Sequence, residues 1–145
     1  MAKRSVIMRK ALVVFAVLMV MALVFTGCDK AGDTVAIFTA EGGYTLTCYK
    51  NGTWVCHVND SQNGMEANLD MAKGTYTGNP AEDGPCTVTK THEIDGLTFM
   101  GVLLMNTPRI TNEEVPLVAL DTPETETINI TNGSFVYDND TYTRR

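Results

Sequence analysis

Three dipeptides, Asn51-Gly52, Asp95-Gly96 and Asn132-Gly133, separate runs in which apolar residues recur at every second position. That combination constrains the fold more than any other feature of the chain. Asn-Gly and Asp-Gly tolerate the positive φ angles of a tight hairpin turn. Period-two apolar spacing turns one face of a strand into a core. From Asp33 onward no helical period competes with it: Thr-rich, aromatic and β-branched runs alternate with Gly, Asn, Asp and Pro. This is the pattern of an all-β domain. Strands are expected near 34–40, 43–50, 53–59, 65–77, 85–94, 97–105, 115–120, 126–131, 134–138 and 140–144. Asn79-Pro80 and Gly84-Pro85 bracket a wider loop, and Asp121 to Thr127 reads as an acidic connector.

Alternation can be tested across the turns. A two-residue loop at Asn132-Gly133 sets Ile130 against Phe135 and Ile128 against Tyr137. A loop at Asn139-Asp140 sets Tyr137 against Tyr142, and one at Asp95-Gly96 sets Ile94, His92 and Val88 against Leu97, Phe99 and Leu103. Matching apolar sides in three hairpins point to an antiparallel up-and-down meander. Closing it into a small barrel removes exposed edges. A β-sandwich is the alternative.

The N-terminus is of a different kind. Lys3, Arg4, Arg9 and Lys10 precede an uninterrupted apolar run, Ala11 to Phe25, followed by Phe25-Thr26-Gly27-Cys28 and a change to polar composition. A basic end, an apolar helix-forming stretch and a small-residue cleavage site describe a secretory signal peptide. These residues resemble the bacterial lipoproteins, with a lipobox of the looser spirochaete type in which Phe25 stands for the usual Leu. The resemblance implies recognition of Phe25, Thr26 and Gly27 by lipoprotein-processing enzymes. It also implies cleavage after Gly27 and attachment of diacylglycerol to Cys28. Each buried methylene contributes roughly 0.8 kcal/mol, so two or three chains anchor a soluble domain. The expected organisation is a signal peptide at 1–27, a lipidated tether at 28–33 and one β domain at 34–145. The localisation would be export and lipid anchoring to the bacterial cell membrane or outer membrane. The alternative is an uncleaved transmembrane helix, for which the 17 residues from Ala11 to Gly27 are at the short limit.

The mature part resembles small lipocalin-like or calycin barrels. Gly52-Thr53-Trp54 repeats the Gly-x-Trp spacing of lipocalins, with Arg144 or Arg145 available to cover the Trp, although here the Trp falls on the third strand. The ending, Phe135 to Arg145, resembles the last hairpin of such proteins.

With Cys28 committed to lipid, Cys48, Cys56 and Cys86 remain. Tyr44, Leu46 and Cys48 share one strand face, as do Trp54, Cys56 and Val58. A three-residue loop aligns the two faces: a loop at 51–53 puts Cys48 opposite Cys56, and one at 50–52 makes them diagonal. Both thiols are therefore expected inward and close, either as a disulfide or as two buried thiols, with Cys86 inward beside Val88. No metal site is expected, because these cysteines with His57 and His92 lack the closely paired spacing of zinc ligands. Strict alternation puts Lys90 and His92 on the inward face. They either line a ligand pocket with Phe99 and Trp54, meeting an acidic group there, or sit at the barrel mouth. In Leu97 to Met105, Met100, Val102 and Leu104 are apolar on the second face, so a neighbouring segment covers them or a patch is exposed.

Lys3, Arg4, Arg9 and Lys10 are four of the chain's 11 basic residues, and its 17 acidic residues all follow Gly27. So acidic a domain argues against nucleic acid, which needs clustered Lys and Arg. Ser61 and Ser134 lie in turns without a nucleophile setting, and no catalytic residues and no cofactor are assigned. The expectation is a non-catalytic binding module for a small apolar ligand or a protein partner, held on a membrane by its N-terminal lipid. The alternative is a structural or adhesive surface lipoprotein with a filled barrel.

Overall fold

The computed structural model describes residues 33–145. The expected signal peptide, lipobox residues and lipidated Cys28 lie outside them. The strands are β1 (Thr34–Ala40), β2 (Tyr44–Tyr49), β3 (Thr53–Gln62), β4 (Met65–Thr77), β5 (Gly84–Ile94), β6 (Arg109–Ile110), β7 (Leu117–Ile130), β8 (Ser134–Tyr137) and β9 (Asp140–Arg144), with one α-helix among the described residues, α1 (Gly96–Leu104). They form a single curled sheet, a half-barrel, in the order β7-β5-β4-β3-β2-β1-β9-β8. Neighbours on this path are antiparallel, and β6 lies parallel to β4.

The meander from β1 to β5 follows the expected order, and the hairpin turns explain its register. Gly52 at φ 80° closes a three-residue loop, so Tyr49 and Thr53 flank it and Cys48 pairs with Trp54. Asn63 and Gly64, at φ 51° and 80°, form a further two-residue turn and extend β3 to Gln62. After the excursion through α1, β7 returns along β5. Asn132 and Gly133, at φ 51° and 73°, then turn the chain into β8, and β9 docks on β1. The outer strands β7 and β8 are joined at this turn by the Thr131–Ser134 pair.

Alternate residues from β1, β2, β3, β5, β7, β8 and β9 converge on one core that includes Phe38, Leu46, Trp54, Cys86, Ile128, Ile130, Phe135 and Tyr142. Phe135 stands edge-on to Phe38, with ring centres 4.9 Å apart, and stacks on Tyr142 at 5.3 Å. A second cluster, Val58, Leu69, Ile110 and Val115, fills the space under α1, against Phe99, Val102 and Leu103.

Three expectations are corrected. Residues 97–105 are not a strand and Asp95-Gly96 is not a hairpin. The Asp95 carboxylate accepts from the Thr98 N–H at 3.2 Å and the Thr98 hydroxyl at 2.6 Å. That is an N-cap, which satisfies free donors at the start of α1. A run apolar on both sides does not suit a strand with one wet face. As a helix it half-buries Phe99, Val102 and Leu103 and leaves Leu97 and Leu104 85% and 79% exposed. The partners assigned to β5 through that hairpin are replaced by β7: Val88 pairs with Glu126 and His92 with Ala119.

Secondly, Asp121 to Thr127 is not a connector but part of β7, which runs unbroken through a bulge opposite Thr91. A bulge is where a strand accommodates Pro123. Thirdly, the last loop is Asp138-Asn139, both at positive φ, so Phe135 rather than Tyr137 faces Tyr142. Asp and Asn enter that region more readily than other side chains.

Candidate functional site

One end of the half-barrel is closed. Its turns meet there: Asp83 accepts from the backbone N–H groups of Asn132 at 2.7 Å and Gly133 at 3.0 Å, and Arg144 donates to the Pro80 carbonyl at 3.1 Å. The Gly133 and Asn132 N–H groups and the Arg144 charge hold the Asp83 carboxyl below the ordinary carboxylate range. Arg144 also lies 5.6 Å from the centre of the Phe38 ring. The lipocalin-type expectation of an Arg over the Trp is thus corrected: the cation covers Phe38, while the Trp54 indole donates to the Thr75 carbonyl at 3.1 Å. Between Leu46, Trp54, Val88, Ile128, Phe135 and Tyr137 only about 10 Å³ is open to a molecule the size of water, so these side chains pack closely.

The other end holds a cavity of about 230 Å³. Leu46, Trp54, Cys56, Ala72 and Tyr142 supply its wall, with Tyr44, Tyr137 and Lys90, while Asp138 and Asp140 of the last turn stand exposed at its rim. Two irregularities in the ladders shape it. Met71 is an extra residue in β4 opposite the Cys56–His57 step, and Thr91 is an extra residue in β5 opposite the Lys73–Gly74 step. Bulges of this kind bend and twist a strand locally. At the second of them the backbones nearly touch, since a Cβ on Gly74 would overlap the Thr89 carbonyl oxygen.

The Thr91 bulge also corrects the placement of His92. Counting in twos from Lys90 puts His92 inward. The extra residue instead pairs it with the exposed Lys73 and bonds its ring to the Thr91 hydroxyl at 2.9 Å. Glu93 takes the inward position, opposite Ala72. Phe99 does not line this cavity either, because the helix carries it to the second cluster, where it borders a separate space. Of the four pocket candidates, Trp54 and Lys90 are brought together in the cavity wall, and His92 and Phe99 are not.

Lys90 meets the acidic group expected of it, twice. Its ammonium donates to Glu93 at 2.7 Å and to Glu124 at 2.8 Å, with the side chain 16% exposed. Burial pulls its pKa down, but the hydrogen bonds to Glu124 and Glu93 outweigh that and hold the group above the ordinary lysine value. A base raised on folding contributes its full stabilisation below the ordinary lysine pKa of about 10.4 and loses it as pH climbs through the raised value. Stability should therefore fall on the alkaline side. Replacing both Glu93 and Glu124 with Gln strands a half-buried ammonium and should cost about 2 kcal/mol near pH 7. Lys90→Met should flatten the alkaline fall; both effects are read by urea unfolding across pH.

Burial holds the tyrosine and thiol of the wall, and the thiols of the core beside it, in their neutral forms. Burial raises the Tyr142 hydroxyl, and its neighbour Cys56, at 3.8 Å, raises it further. Burial pushes the Cys48 thiol up to about 12 and raises Cys56 and Cys86. All three cysteines are buried and free, so Cys48 and Cys56, diagonal neighbours across β2 and β3, form no disulfide. His57 pairs with Asp70 at 2.8 Å. Among the described residues no group of three His, Cys, Asp or Glu side chains is placed to share a metal ion. No helix among them is long and apolar enough to cross a membrane.

Glu93, Glu124, Tyr44, Tyr137, Asp138, Asp140 and Tyr142 were not assigned to a site from the sequence. The signal for Glu93 and Glu124 was Lys90 itself, an inward cation that requires an acid nearby. No protein-family model, curated protein or solved structure matches the chain.

Proposed function

We propose that this chain is a bacterial envelope lipoprotein, processed after Gly27 and lipidated at Cys28, whose β domain is a non-catalytic binding module for a small ligand. In this reading the half-barrel is a lipocalin-like barrel completed through the Thr131–Ser134 turn. The observation that carries the binding role is the cavity of about 230 Å³ beside a closely packed closed end. A concave site with an apolar wall and a few convergent polar groups is the usual form of a small-molecule pocket. The lipid anchor rests on the sequence of residues 1–28, with membrane contact through the acyl chains.

A second reading, a structural or adhesive lipoprotein with a protein partner, is favoured by the outer face of α1. Leu97, Met100, Leu104 and Met105 are exposed together there. Contiguous apolar surface of this kind marks contact sites.

Thiol titration of the full chain, purified from bacterial membranes, tests the processing. The chain has four cysteines. The expected result is no reactive thiol in the native protein and three after denaturation, because Cys28 is blocked as a thioether. Four thiols on a chain that keeps residues 1–27 would show that no lipid is attached. Cys28→Ala should move the protein from the membrane to the soluble fraction.

A further inference from the structure

The cavity also carries a preference for one class of ligand. Its aromatic side chains, Trp54, Tyr44, Tyr137 and Tyr142, surround a space bordered by three carboxylates, Glu93, Asp138 and Asp140, and a single cation, Lys90. That cation is already committed to Glu93 and Glu124 at 2.7 and 2.8 Å. Asp138 and Asp140 enter no ion pair among the described residues. The field at the rim is therefore negative, and a charged mouth over low-dielectric walls concentrates ions of the opposite sign. Aromatic faces attract a desolvated ammonium through their quadrupole. A carboxylate ligand would meet repulsion from the rim and find the one ammonium occupied. A neutral ligand would use the wall and leave the rim unused.

We propose that the cavity takes a small organic cation, an ammonium group carried on a short apolar body. The apolar body lies against Leu46, Trp54 and Ala72, and the ammonium faces Asp138 and Asp140. Size limits the body: 230 Å³ lies below the about 300–1,000 Å³ of pockets for drug-sized ligands, which leaves room for a single ring or a short alkyl chain. This assignment rests on the cavity being a ligand site, as proposed above.

Trp54 is the chain's single tryptophan, so its fluorescence reports on the cavity wall. The full chain in a non-ionic detergent at low salt would be titrated with benzylammonium, benzyl alcohol and benzoate. These share a ring and differ in charge. Benzylammonium should change Trp54 emission saturably at roughly tenfold lower concentration than benzyl alcohol, and benzoate should not saturate. Added salt should reduce the advantage. Asp138→Asn with Asp140→Asn should abolish the advantage of benzylammonium over benzyl alcohol; Asn keeps the positive-φ turn available. Equal binding of alcohol and ammonium would overturn the cation assignment and leave the ligand site standing. If no probe saturates, both the assignment and the ligand site fall.

Discussion

Gly74→Ala should destabilise the domain by about 3 kcal/mol, which is large for the addition of one methyl group. A Cβ at this position overlaps the Thr89 carbonyl oxygen, a backbone atom that no rotamer change can move aside. Relief requires β4 and β5 to separate where Thr91 bulges and where Lys90 and Glu93 enter the cavity wall. The effect should therefore be double: a lower midpoint in urea unfolding, and altered Trp54 emission in the protein that remains folded. Gly64→Ala provides the comparison. A Cβ there meets nothing within 4 Å, and the cost should be only that of a strained positive φ in an exposed turn, about 1 kcal/mol.

Phe135→Ala should cost about 4 kcal/mol, the range for emptying an aromatic site in a core. Phe135 lies on β8, at one edge of the half-barrel, and touches Phe38 of β1 and Tyr142 of β9 through its ring. Its removal loosens the last hairpin, which also supplies Asp138 and Asp140 at the rim. A domain of this size has a total stability of about 5–15 kcal/mol. The variant should be partly unfolded at 37 °C, as seen by circular dichroism. Phe135→Leu, which keeps most of the volume, should lose less than half as much.

The parts of the fold that were legible before the structure depend on local chemistry. Alternation placed Leu46, Cys48, Trp54, Cys56, Ile128, Ile130 and Phe135 in one core, and all are buried. Asn51-Gly52 and Asn132-Gly133 behaved as turns because Gly52, Asn132 and Gly133 take up the positive φ angles that Asn and Gly tolerate. Asp95-Gly96 did not, because the same dipeptide also begins a helix when a Thr follows at the capping distance, and Thr98 does. Bulges are the other blind spot. One extra residue in a strand inverts every later inward and outward assignment, and Thr91 alone moved His92 out and Glu93 in. Nothing in the composition around Thr91 marks it, because the bulge is set by β4 and by the return of β7. The cavity could not be read for the same reason, since its wall is assembled from residues of six strands far apart in sequence.

Native mass spectrometry of the full chain, isolated gently from bacterial membranes, tests the binding role most directly when wild type is compared with Ala72→Leu. Ala72 lies in the cavity wall opposite Cys56, and a leucine there fills the space without touching the closed end. The expected result is a noncovalent small-molecule mass on the wild type, absent from Ala72→Leu, with the variant at least as stable in urea. A wild type that carries no such mass and cannot be distinguished from the variant would contradict the assignment of the cavity as a ligand site.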